Sequence, residues 1–232
     1  MGEKSRHRPR LEYKASRTSE RITDSVADAL QSNAADDRHV SGQRERSIRF
    51  TAMGTQCAIH AYGERALVVP GLRAAIAEVD RIETKYSRYL PSSLLSEINR
   101  RAAAGGSIEV DEETSALLDY AGRCHQISDG LFDITSGAFR QVWDFRSGRV
   151  PDFNEIDAVL PRVGYGKLTW EKPRLSFPVP GMEIDFGGLA KEYAADRAAA
   201  ICRSAGIASG LVDLGGDIAV VGPRPGNNPW VV

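Results

Sequence analysis

From Ser47 onward the chain alternates between apolar and polar positions, with Ile48, Phe50 and Ala52 on one face and Cys57, Ile59 and Ala61 repeating the pattern after a Met53-Gly54-Thr55 bend. A period of two buries one face of a strand, so this stretch predicts two strands joined as a hairpin. The period then changes. Leu72, Ile76, Val79, Ile82 and Tyr86 fall at helical spacing, and Pro70 suits a first turn, which predicts a helix of about 15 residues running into the loop Tyr86-Ser-Arg-Tyr. Ser92 or Ser93 is placed to cap a short helix through Asn99. Asp111 caps a further helix whose inner face is Leu117, Leu118, Ala121 and Cys124 and which ends near Ser128-Asp-Gly130. A looser segment with Trp143, Gly148 and Pro151 precedes a strand pair around residues 167–170 and 174–177. A short strand at residues 183–186 then leads through Gly187-Gly188 into a helix over 189–204, with Leu189, Tyr193, Ala194, Ala198 and Ile201 facing inward, before strands at 211–214 and 217–221. Strands and helices mix without regular βαβ spacing, so the expected class is α+β with a largely antiparallel mixed sheet and packed helices.

Composition divides the chain in two. Residues 1–46 are rich in Arg, Asp, Ser and Gln with isolated apolar residues, too few to offset chain entropy, which predicts a disordered polar extension with a transient helix near 19–31. Residues 47–232 form one predicted domain. The net charge of -1 conceals a mild asymmetry, with 11 basic against 8 acidic side chains over residues 1–49 and 19 against 23 over the remainder. Neither part is a nucleic-acid surface. Cys57, Cys124 and Cys202 are far apart and never form a CxxC, which argues against both a disulfide framework and a zinc site; they are expected as small buried hydrophobes. His7, His39, His60 and His125 are equally scattered, and none is given a role. No apolar run is long enough for a transmembrane helix, and Met1 to Arg10 contains neither an apolar signal core nor a cysteine, so the expected location is cytoplasmic.

The chemistry concentrates between Glu183 and Asp196, in Glu-Ile-Asp-Phe-Gly-Gly-Leu-Ala-Lys. Glycines allow a sharp turn and close backbone approach, and the free N–H groups and positive dipole end of a helix start favour a phosphate. Asp185 before the turn and Lys191 one turn into the helix would frame such a pocket with opposite charges, suiting a divalent metal on a diphosphate. An ordinary strand-to-helix connection with a solvated lysine is the competing reading. Gly164-Tyr-Gly166 is not a dinucleotide fingerprint, because Thr169 stands at the third glycine position and no helical pattern follows.

Four more segments accompany this one: Met53-Gly-Thr; Tyr86-Ser-Arg-Tyr-Leu-Pro-Ser-Ser with Ile98-Asn99; Ser128-Asp-Gly-Leu-Phe-Asp-Ile-Thr135; and Leu211-Val-Asp-Leu-Gly-Gly-Asp-Ile218 running to Pro229-Trp230. In this order and spacing the set resembles the FAD:protein FMN transferases, the ApbE family, over about residues 48–232. The resemblance implies an FAD substrate with Mg2+ on its diphosphate, attack on the FMN phosphorus by a threonine hydroxyl of an acceptor flavoprotein, and release of AMP. It further implies that Met53 packs on the flavin and Tyr89 borders it. Leu131, Phe132 and Asp133 would belong to an FAD-contacting loop, Asp185 and Lys191 would contact the ligand, and the Gly188 carbonyl would help hold Mg2+. For Asp133 a helix cap over residues 134–139 stays an open alternative, for Met53 and Tyr89 ordinary packing, and Asp217 is read as a turn-orienting residue first. Glu192 stands where the family has glycine. The resemblance places the family's His segment and its later Asp and Thr beyond Val232, so the C-terminal part of the domain is expected to be missing and no catalytic residue is assigned. Two alternatives remain, a non-catalytic FAD-binding protein and an FAD pyrophosphatase giving FMN and AMP.

Overall fold

A computed structural model describes residues 39–40, 43–144 and 147–232. The expected transient helix, and most of the expected disordered extension, lie outside the described residues. Strand β1 (His39–Val40) pairs with β2 (Gln43–Ala52), which turns into β3 (Thr55–Tyr62). The β2–β3 ladder is in register from Glu45↔Tyr62 to Ala52↔Thr55, leaving Met53 and Gly54 as a two-residue loop. Both have positive φ, 51° and 74°, the combination that matches the right-handed twist of a hairpin. Strands β7 (Gly210–Asp213) and β8 (Ile218–Gly222) complete an antiparallel sheet of order β1-β2-β3-β7-β8. A second antiparallel sheet has the order β4-β6-β5, formed by Ser107–Glu109, Arg174–Ser176 and Thr169–Glu171 respectively.

Helix α1 (Arg65–Tyr86) buries Val68, Leu72, Ala75, Ile76, Val79 and Ile82. It packs against a late helix, which follows α2 (Leu94–Ala103), α3 (Glu112–Ile127) and α4 (Phe153–Val159) and is therefore α5 (Ala190–Ser204). The buried stripe of α5 is Ala194, Ala195, Ala198, Ala199 and Cys202, and such small side chains let two helices approach closely while both cover the larger sheet. Ile48, Phe50, Ala52, Cys57, Ile59 and Val212 meet them from that sheet to close one core.

The α+β class and antiparallel sheets match the expectation, while several details differ. Helix α1 begins five residues before Pro70, which therefore lies inside it. Pro70 is exposed and Val68 fully buried; the burial offsets one missing backbone bond. Strand β2 starts at Gln43 rather than Ser47. Residues 183–186, expected as a strand, join no sheet. The Asn99 side chain holds that segment instead, donating to the Ile184 carbonyl and accepting from its N–H, each at 2.9 Å, while the Asp185 N–H donates to the Ile134 carbonyl at 2.8 Å. One side-chain amide thus satisfies the backbone groups that a neighbouring strand would otherwise serve.

Candidate functional site

Local chemistry builds each wall of the site. The Gly187-Gly188 turn is anchored by buried Phe186 and Leu189, and the Phe186 carbonyl accepts from both Leu189 N–H (2.9 Å) and Ala190 N–H (2.7 Å). No side chain caps the start of α5, so its positive dipole end is left to whatever enters the adjoining space. A Cβ on Gly188 would stand 3.1 Å from the Phe132 ring, which explains why the turn can sit so close to the 131–133 loop. That loop leaves α3 through two consecutive left-handed residues, Asp129 and Gly130, with φ of 52° and 84°. The Ser128 hydroxyl then accepts from the Phe132 N–H at 2.9 Å. His125 Nδ1 lies 2.9 Å from the Phe132 carbonyl, which can only accept, so this nitrogen carries a proton.

A short 3₁₀ helix, Ile134–Gln141, follows with Asp133 as its cap. One Asp133 oxygen accepts from the Thr135 N–H (2.8 Å) and hydroxyl (2.6 Å), the other from the Tyr165 N–H (2.7 Å). Its carboxylate is thereby engaged by the protein. In the same helix Gly137 lies against the 183–185 backbone, where an added Cβ would fall 3.0–3.1 Å from three main-chain atoms. A side chain there would push against that backbone, so glycine lets the two segments meet without displacement.

These walls enclose a cavity of about 530 Å³. Met53, Tyr89, Leu131, Phe132, Asp133, Asp185, Gly188 and Lys191 all line it, so residues singled out from four separate stretches of sequence surround a single space. Tyr89 (56% exposed) and Leu131 (92%) stand at its mouth. Lys191 Nζ pairs with Asp217 at 2.8 Å, and that bond raises its pKa, so the ammonium is fully charged near neutrality. Asp217 therefore reaches from the β7–β8 turn to the site, a role beyond orienting that turn. The buried Cys57 thiol is pushed up to about 11 by burial, which leaves it an inert neutral packing group. Burial likewise raises the Glu183 carboxyl, against the opposing pull of its Arg140 partner.

Sequence reasoning passed over Arg88 and Glu83, which also line the cavity. Arg88 lay within the quoted Tyr86-Ser-Arg-Tyr stretch, but its partner is far away in sequence. Its guanidinium donates to Asp185 at 2.5 Å and to the Tyr89 hydroxyl at 2.9 Å.

Magnesium prefers about six oxygen ligands in near-octahedral geometry. Among the described residues no group of three or more His, Cys, Asp or Glu side chains could hold a metal. Asp133 is engaged by three donors, Asp185 by Arg88 and the Gly187 N–H, and Asp217 by Lys191. The residues present do not form a magnesium site on their own. Among the described residues, no helix is long and apolar enough to cross a membrane.

Comparison with known proteins identifies the family of the fold. The ApbE family model matches residues 53–232. A "FAD:protein FMN transferase" of Rhodobacter capsulatus is 29% identical over 192 residues, 80% of this chain and 36% of the relative; one of Chlamydia pneumoniae is 30% identical over 154 residues, 65% and 48%. The ApbE protein of Thermotoga maritima, solved by crystallography, is 32% identical with a TM-score of 0.72 over 81% of this chain and 62% of that one. The chain spans about half or less of the length of these two curated relatives. With its family match running unbroken from the Met53 hairpin through every wall of the cavity, the chain belongs to the ApbE family.

Proposed function

We propose that the cavity binds FAD and that the chain acts in Mg2+-dependent transfer of FMN from FAD to a threonine hydroxyl of an acceptor flavoprotein. The single observation that carries this reading is the convergence of the eight sequence-predicted residues on one space. The volume suits a ligand that is mostly enclosed with one end accessible. Met53 and Tyr89 offer polarizable surface to the flavin ring. At the other wall Lys191 and the uncapped start of α5 supply positive charge where a diphosphate would lie. In the reaction the threonine oxygen forms a bond to the FMN phosphorus, the bond from that phosphorus to the bridging oxygen breaks, and AMP departs with the electron pair. The hydroxyl proton passes to a general base as the bond to phosphorus forms.

Within that scheme the chain's own residues position and neutralise charge, which is most of what phosphoryl transfer asks of a protein. Magnesium, with the Gly188 carbonyl as one donor, would neutralise further diphosphate charge; the side chains present do not complete its shell. Isothermal titration with FAD in the presence and absence of EDTA tests the binding half. Saturable binding that Lys191→Ala weakens by about tenfold, the scale of one lost charge-assisted contact, is expected. Incubation with FAD, Mg2+ and a threonine-bearing acceptor should then release AMP and leave flavin covalently on the acceptor. Absence of flavin binding sinks the proposal; FMN produced without acceptor would replace it with the pyrophosphatase reading.

A further inference from the structure

Arg88 reaches across the site to a residue 97 positions away in sequence, and both of its polar partners belong to the cavity wall. One nitrogen donates to Asp185 Oδ2 at 2.5 Å and the other to the Tyr89 hydroxyl at 2.9 Å. The guanidinium carbon also lies 5.0 Å from the centre of the Tyr89 ring. The side chains of the ion pair are 35% and 20% exposed, intermediate between a solvated surface pair and a core pair, so the attraction is only partly screened. The fork of an arginine is suited to holding two acceptors in fixed relative positions, which a lysine cannot do.

Charge gives this arrangement a purpose. Glu83 and Asp185 place carboxylates in the wall of the same cavity that Lys191 lines with a positive charge suited to an anion. Arg140 is turned towards Glu183 and Lys191 towards Asp217, so the cation that faces Asp185 is Arg88. Without it, a carboxylate would repel phosphate oxygens from the wall, and Tyr89 at the mouth would lose the hydrogen bond that its hydroxyl accepts from Arg88.

We propose that Arg88 is a positioning residue of this site, holding Asp185 and Tyr89 in place and cancelling the Asp185 charge against an anionic ligand. The inference rests on the FAD reading given above and adds a residue to it. The test is a double-mutant cycle on FAD affinity in this chain, comparing Arg88→Ala, Asp185→Asn and the pair, with melting temperature followed in parallel. Arg88→Ala is expected to weaken binding about tenfold in the parent and less than about threefold in the Asp185→Asn background, since coupled neighbours are non-additive. Arg88→Lys, which keeps the charge and loses the fork, should recover part of the loss. Arg88→Met, which keeps the aliphatic stem, stands in if the alanine variant folds poorly. Equal losses in both backgrounds, or no loss at all, overturn the role of Arg88 while leaving FAD binding intact. A parent chain that binds no FAD removes the functional reading and this inference with it.

Discussion

Met53 concentrates the tension between stability and function in one residue. Its φ of 51° is a conformation that costs a side chain with a Cβ about 1–2 kcal/mol, and hairpin loops of this kind ordinarily take Asn, Asp or Gly. Methionine there packs partly on the core and lines the cavity. Strain retained at a ligand wall is the kind that a binding site over-determines. Met53→Asn should therefore leave the melting temperature unchanged or raise it slightly, while FAD affinity falls by roughly tenfold through lost apolar contact. A parallel loss of both in titration and melting experiments would instead make Met53 a packing residue. The hairpin itself was legible because its signals, alternation and a glycine-containing bend, are local; the strain at Met53 was not, since φ is a property of the closed ladder.

Glu113, in the first turn of α3, ties three helices together. It accepts from Arg81 and Lys85 of α1 at 2.6–3.0 Å and from the Tyr193 hydroxyl of α5 at 2.8 Å. The Arg81 bonds above all hold its carboxyl down at about 2, against an ordinary value of 4.5. A depressed folded-state pKa contributes stability that is fully present above about 4.5 and is lost as the pH falls towards 2. Glu113→Gln should thus be less stable than the parent by about 2 kcal/mol near pH 7, because it weakens charge-assisted bonds. The gap should close progressively as melting is repeated between pH 4.5 and 2; a gap that stays constant over that window would show that packing, not charge, joins the helices. At this scale the sequence was informative wherever a signal is local. Ser93 and Asp111 cap α2 and α3 as their types and positions predict, accepting from Ser96 N–H at 3.0 Å and Thr114 N–H at 2.8 Å. Strand β4, at three residues too short for its alternation to stand out, exists because β6 offers it a ladder, and the 183–186 segment lost its expected strand to the Asn99 amide.

Across the whole molecule, the types of the site residues could be read in advance and their meeting could not. Glycines, a lysine and aspartates in a strand-to-helix corner announce anion chemistry locally, but the approach of Tyr89, Phe132 and Asp185 to one another depends on Gly137 admitting the 183–185 backbone and on Arg88 spanning the cavity. Resemblance supplied what periodicity could not, which is why Arg88, without a role in the motif, was passed over. A cavity assembled from the hairpin, the end of α1, the 131–136 segment and the start of α5 has a thermodynamic consequence. A ligand that touches all four walls binds the folded chain and not the unfolded one, so it stabilises the whole by mass action. At FAD concentrations a hundred times its dissociation constant the gain is about 2.7 kcal/mol, or a rise in melting temperature of roughly 5–10 °C for a domain of this size. ADP at the same concentration, able to meet Lys191 and the start of α5 but not Met53 and Tyr89 together, should give a distinctly smaller rise. Equal shifts with ADP and FAD would mean that the flavin half finds no wall here, and scanning calorimetry on the two ligands decides it.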